Sequence, residues 1–249
     1  MAKQTGIIKL KGKIGDLSFY KTKDGHLAKE KGGVDGDRIK NDPAYARTRE
    51  NNAEFGTSAT SGKLTRDSLR PIAQSASDNR VVARMTKLMS QIKNLDLTSA
   101  RGERKVGVAI AGATAKALLK GFEFNKNALL VSILYKPYAV NTTTGVITIP
   151  GLIPVNDIVF PQGATHVSLT GSYGNINYAT SIADVKLTNV VNLPIDGTPA
   201  SVTLTPTAVP AGTGAKVYLL KIEFFQMVNG VQYSLKNGAF NALRIIDVI

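Results

Sequence analysis

Residues 216–235 read KVYLLKIEFFQMV-NG-VQYSL. Thirteen residues rich in leucine, aromatic and β-branched side chains run into Asn229-Gly230, and a second strand-like segment follows. Asn-Gly between two such runs is a strong short-range hairpin signal, because both residues tolerate the positive φ of a type I′ turn. The same texture extends in both directions. Downstream lies ALRIIDVI (242–249). Upstream lie ASVTLTP (200–206), VKLTNVVNL (185–193), THVSLTG (165–171), GVITIP (145–150), ALLVSILY (128–135) and FEFN (122–125). Alternation is visible in VKLTNVVNL and SVTLTP. Turn signals separate the segments: Asn125-Lys126-Asn127, Lys136-Pro137, Thr144-Gly145, Pro161-Gln162-Gly163, Pro194 to Gly197 and Pro210 to Gly214. Strands of about 5–8 residues with turns every 8–12 predict a C-terminal antiparallel β-sandwich over 121–249.

Upstream of Gly121 the period changes. VGVAIAGATAKALLK (106–120) reads as an Ala-rich buried helix. From Asp78 onward, Val81, Met85, Leu88 and Ile92 recur at helical spacing, with Val82 and Met89 widening the stripe. Asn41-Asp42-Pro43 is a helix start: Asp42 can cap free N–H groups and Pro43 suits the first helical position. Gly56 to Gly62 fits either a closely packed helix or a break, and Leu64, Leu69 and Ile72 suggest one more helical segment, stopped at Arg70-Pro71. Residues 1–31 read as a three-stranded meander: IIKL (7–10), LSFY (17–20) and HLAKEK (26–31), with an Asp24-Gly25 turn before the last. Phe19 and Tyr20 fall on opposite faces, so one is expected buried. The fold class is therefore α+β, with a basic β-meander arm at 1–40, a helical region at 41–120 and the sandwich at 121–249.

The chain has 249 residues, 43% hydrophobic and 20% charged, enough apolar material for a real core. It has no cysteine and two histidines, which excludes disulfide scaffolds, thiolate nucleophiles and Cys-ligated metals. No apolar run approaches the ~20 residues that span a bilayer. The N-terminus lacks the apolar h-region of a Sec signal peptide; a cytoplasmic protein or an assembled particle is expected. The net charge is +13, and it is uneven: residues 1–105 carry 22 Lys and Arg against 12 Asp and Glu, residues 106–249 carry 9 against 6. Such asymmetry points to a polyanionic partner for the basic half, or to solubility alone.

Candidate site residues follow from that charge. Lys9, Lys11 and Lys13, and Lys21 and Lys23, have the spacing of one strand face. Arg80, Arg84 and Lys87 form a helical face beside the apolar stripe. The eight are candidate phosphate contacts; Val81, Met85, Leu88 and Ile92 are the candidate core or subunit interface. No catalytic residue, metal ligand or cofactor is expected. His26 and His166 read as isolated strand residues, no G-x-S-x-G elbow or phosphate loop is present, and the Gly171-Ser172-Tyr173-Gly174 cluster lacks a strand–helix setting.

The segments GIIKLKGKIGDLSFYKTKDGHLAKEKGGV (6–34), NDPAYARTRENNAEFG (41–56), GKLTR (62–66) and IEFFQMVNGVQYSLKNGAFNAL (222–243) resemble a family of Bacteroidota genomes of unknown function. The resemblance implies a bacterial, mobile-element or phage-associated setting and no site residue or fold. Two functions remain in view. One is a non-enzymatic, self-assembling structural protein, a virion-, tail- or filament-like subunit with a basic arm and itself as partner. The other is a nucleic-acid-binding protein that uses the basic N-terminal half on phosphates.

Overall fold

In the computed structural model, which describes residues 2–30, 32–235 and 239–249, the chain is 28% helical and 34% strand, and its sheets are antiparallel. The class is α+β. Close packing divides it into residues 1–49 and 50–249.

The first unit holds β1 (Ala2–Lys3), β2 (Gly12–Ile14), β3 (Leu17–Thr22) and β4 (Gly25–Glu30) in one sheet of order β1-β4-β3-β2. IIKL does not form a strand, and Ile7 and Ile8 stand 102% and 81% exposed. Its place in the sheet is taken by Ala2–Lys3, which pairs with Leu27 and Ala28. Thr22 pairs with Gly25, so the two-residue turn is Lys23-Asp24, one position earlier than expected. The Thr22 hydroxyl accepts from the Asp24 N–H at 3.2 Å and donates to the Gly25 carbonyl at 3.1 Å, and Gly25 takes φ +113°. Lys31, expected to end the last strand, lies outside the described residues. After α1 (Gly36–Asn41), Asp42 caps a 3₁₀ turn, Pro43–Tyr45, by accepting from the Ala44 N–H at 2.9 Å.

That turn leads into α2 (Ala46–Ser68), which runs unbroken through Gly56 to Gly62. The small residues serve close packing: a Cβ on Gly62 would sit 3.4 Å from the Met85 side chain. Next come α3 (Arg70–Ala73), α4 (Val81–Lys93), α5 (Val106–Ala109) and α6 (Ala113–Leu119). The expected helix 106–120 is thus split in two at residues 110–112.

The ALLVSILY segment is not a strand. It forms one helical turn, α7 (Leu130–Ile133), which buries Leu130 and Ile133, while FEFN contributes an isolated bridge between Glu123 and Arg244. A continuous apolar run of this length fits either structure. The remaining elements are β5 (Ala139–Val140), β6 (Ile147–Leu152), the short α8 (Pro154–Asp157), β7 (His166–Asn177), β8 (Ile182–Pro194), β9 (Ala200–Leu204), β10 (Ala215–Val228), β11 (Val231–Ser234) and β12 (Ala242–Val248). The turn joining β10 to β11 has Asn229 at φ +49° and Gly230 at φ +78°, as the Asn-Gly hairpin requires.

Two sheets result. The larger runs β11-β10-β7-β8 with β12 also on β10, and the smaller runs β5-β6-β9. The long strand β10 explains how they pack. Val217 and Leu219 join Met85, Met89 and Ile92 in a helix-side core. Their neighbours Tyr218, Leu220, Ile222 and Phe224 join Ile147, Ile149, Val202 and Leu204 in a second core shared with the small sheet. The large sheet is therefore covered on both faces, which is why 217–220 is uninterruptedly apolar, and why the charges that follow, Lys221 and Glu223, are paired at 2.7 Å. Helices and sheets of 50–249 share these cores as layers of one unit.

The alternation in VKLTNVVNL does not mark a single face. Val185 and Leu187 pack on the helix side, Val191 and Leu193 on the small-sheet side. Between them β8 carries one extra residue against β7, since Ser172 pairs with Leu187 but Thr170 with Val190. One inserted residue flips every later side chain to the other face. At that bulge the Thr188 hydroxyl accepts from the Gly171 N–H at 2.8 Å. A Cβ on Gly171 would meet Ile147 at 2.8 Å, so the Gly171–Gly174 cluster serves packing between strands.

Candidate functional site

In an antiparallel sheet, residues directly opposite each other point to the same side. The register of the N-terminal sheet therefore sorts its side chains. Gly12 pairs with Phe19, Phe19 with Ala28 and Ala28 with Ala2; Ile14 pairs with Leu17 and Leu17 with Glu30; Lys21 pairs with His26. These form one face, apolar in the middle, with Glu30 at one end and Lys21 and His26 at the other. Lys13 pairs with Ser18 and Ser18 with Lys29; Tyr20 pairs with Leu27 and Leu27 with Lys3. These form the opposite face, which carries three exposed lysines and no carboxylate.

Among the described residues of 1–49 none is buried. Phe19 and Tyr20 are both half-buried, so neither faces a core. Ile14 is 60% exposed and Leu17 45%. Four strands without a covered face lack the apolar burial that makes a small sheet stable in water.

The lysines selected by spacing do not share a surface. Lys13 lies on the lysine face and Lys21 on the apolar one, because they sit on different rows of the register. Lys23 is in the turn. Lys9 and Lys11 precede β2 and lie outside any strand, and the Lys9 ammonium donates to the Gln4 carbonyl. Lys3 and Lys29 were passed over by the spacing argument. The pair of two-residue turns, Gly15-Asp16 and Lys23-Asp24, fixes the register across β2, β3 and β4 and so finds Lys29; Lys3 lies on β1, whose pairing with β4 no turn fixes.

In the second unit Arg80 and Lys87 are exposed, but Arg84 is taken up inside the fold. Its guanidinium donates to Asp78 Oδ2 and to the Glu123 carbonyl, both at 2.5 Å, and to the Phe124 carbonyl at 2.9 Å. It lies over the Phe122 ring, 5.1 Å from the centroid. Arg84 clamps α4 to the 122–124 segment and offers no free face to a phosphate. Asp78, expected to open the helix, instead accepts from the Arg80 N–H at 2.7 Å and the Lys126 N–H at 2.9 Å. Met85, Leu88 and Ile92 lie in the helix-side core of the same chain, with Val81 half-buried at its edge.

Charge is also buried here. Glu54, 4% exposed, accepts from the Lys93 ammonium, from the Arg104 Nε at 2.9 Å and from the Gly102 N–H at 2.8 Å. Burial pushes its carboxyl up, but Lys93, the Gly102 N–H and Arg104 outweigh it and hold the group at about 2. Asp96 is likewise held below the usual carboxylate range against its burial, by Ser99, Thr98 and the Lys105 N–H. Glu123 goes the other way: burial pushes it up to about 7, against the Leu130 N–H, Arg244 and Arg84.

An open groove of about 650 Å³ lies between α2 and the turn after β7, lined by Gly56, Thr57, Thr60, Lys105, Val108 and Tyr178 among others. No histidine or carboxylate lines it. Among the described residues no three His, Asp or Glu gather as metal ligands, and no helix is long and apolar enough to cross a membrane. His26 stands beside Lys21, and His166 Nδ1 is 3.0 Å from the Thr165 hydroxyl. No protein-family model matches the chain, and no curated protein or solved structure is similar to it.

Proposed function

We propose that this chain is a non-enzymatic, self-assembling structural protein, a virion-, tail- or filament-like subunit, in which the N-terminal sheet bridges copies. The observation that carries the reading is the four-stranded sheet without a single buried residue. Such a sheet gains its missing stability when Ile14, Leu17 and Phe19 are covered, at about 1.5–3 kcal/mol for each fully buried large apolar side chain. A second copy fits the face. Glu30 sits at one end and Lys21 and His26 at the other, so a two-fold rotation sets the acid of one copy over the bases of its partner. The two sheets that share a core in 50–249 are read as a sandwich-type scaffold carrying this arm.

Light scattering after size exclusion, with negative-stain microscopy, tests the proposal at about 0.05 and 1 M salt. Apolar assembly gives particles at both. Ile14→Asp with Leu17→Asp in the full chain should reduce them to a monomer while the melting transition of 50–249 stays in place. A wild-type monomer at both salts overturns the reading.

The alternative, nucleic-acid binding by the basic half, draws support from a different observation: the lysine face lies on the side of the sheet opposite to the apolar one.

A further inference from the structure

We infer that the face carrying Lys3, Lys13 and Lys29 binds the phosphate backbone of a nucleic acid without regard to base sequence. This goes beyond assembly, since the apolar face is left free for a second copy. Charge segregation is the basis. Eight strand positions fall on this face: Lys3, Lys13, Ser18, Tyr20, Thr22, Gly25, Leu27 and Lys29. Three are exposed lysines and none is acidic, whereas the strand carboxylate Glu30 is on the other side.

The lysines form an array. Lys13 and Lys29 flank Ser18 across three strands, two strand spacings or about 10 Å apart. Lys3 lies opposite Leu27, two residues along β4 from Lys29, a diagonal of roughly 7–8 Å. Long flexible ammonium groups at such intervals can follow the regularly repeated charges of a polyphosphate. A ligand with a single carboxylate would engage only one of them. Ammonium groups act as point charges and read no base edge, so the contacts position without specifying.

A lipid surface is the less suitable polyanion for this face. Interfacial binding joins basic charge to protruding apolar chains. The other five residues here are half-buried, the exposed Ile14 and Leu17 point to the opposite side, and the exposed Ile7 and Ile8 lie in the loop between β1 and β2, outside this face.

The test compares two full-length variants with the same loss of charge. Lys3→Gln, Lys13→Gln and Lys29→Gln together empty the face; Lys9→Gln, Lys11→Gln and Lys23→Gln together remove three charges elsewhere in the same unit, outside both faces of the sheet. Fluorescence anisotropy with a labelled mixed-sequence DNA duplex is read between 50 and 200 mM salt. Three phosphate contacts, at about 0.9 slope units each, weaken wild-type binding about 40-fold over that range for one bound copy. The face variant should lose this salt dependence and most of the binding at 50 mM. The matched variant should stay within about threefold of wild type. Circular dichroism should be unchanged for both, as exposed lysines contribute little to stability. No wild-type binding at 50 mM, or equal loss in both variants, overturns the inference. So does binding to phosphatidylserine vesicles with none to DNA.

Discussion

Replacing Glu54 with Gln tests the buried charge cluster at the start of the second unit. The substitution keeps size and shape and removes the carboxylate that accepts from both Lys93 and Arg104. Lys93 is 8% exposed, so its ammonium cannot recover full hydration. Removing one partner of such a buried pair typically costs about 3–5 kcal/mol, because the other charge remains buried and uncompensated. For a unit of this size, 1 kcal/mol shifts the melting temperature by about 2–4 °C, giving an expected fall of about 6–20 °C at pH 7. Lys93→Met should cost less, since Glu54 keeps the Arg104 guanidinium and the Gly102 N–H. The pH dependence adds an internal control. Glu54 is held at about 2 in the folded chain, against 4.5 when unperturbed. A depressed carboxyl stabilises the fold fully above its unfolded value and loses that contribution as pH falls through the folded one. The gap between wild type and Glu54→Gln should therefore be widest above pH 4.5 and narrow toward pH 2. Differential scanning calorimetry measures both. A variant melting within about 2 °C of wild type at pH 7, or a gap unchanged from pH 5 to 2.5, would refute the argument that this cluster is dry and strongly coupled.

Met85→Asp puts a charge into the helix-side core, where Met85 is fully buried among Leu219, Ile245 and their neighbours; it should cost several kcal/mol and leave 50–249 unfolded or molten by near-UV circular dichroism, whereas a native spectrum would show that the stripe is not core. Glu123 is raised to about 7, so the folded chain holds a proton that the unfolded chain has released; wild type should lose stability as pH rises from 5 to 8 while Glu123→Gln stays flat, and parallel melting curves across that range would contradict the burial argument.

Local signals in this sequence were reliable at two dipeptides, although the turn expected at Asp24-Gly25 stands one position earlier, at Lys23-Asp24. Asn229-Gly230 and Asp42-Pro43 each carry their own structural reason and stand where they were expected, while of the apolar stripe Met85, Leu88 and Ile92 are buried and Val81 is half-buried. Continuous apolar runs were less informative. ALLVSILY folds as one helical turn because Leu130 and Ile133 need only one covered side. VKLTNVVNL looked like a single face because a bulge is invisible to a period-two count. The lysines of the arm could be counted but not sorted. Spacing grouped Lys9, Lys11 and Lys13, although only Lys13 is in a strand. Arg84 looked like a surface cation until the 122–124 segment was brought against it.

Sequence by itself determined the α+β class, the antiparallel hairpin at Asn229-Gly230, the capped helix start at Asp42 and the excess of positive charge in the first 105 residues. These depend on backbone preference, periodicity and composition, all of which act over a few residues. Tertiary structure alone decided that β10 is covered on both sides, that one extra residue sends the two ends of β8 into different cores, and that Lys3 joins Lys13 and Lys29 on one face. Each of those depends on register, the pairing of residues distant along the chain, and a shift of one residue in register reverses which side every later side chain occupies.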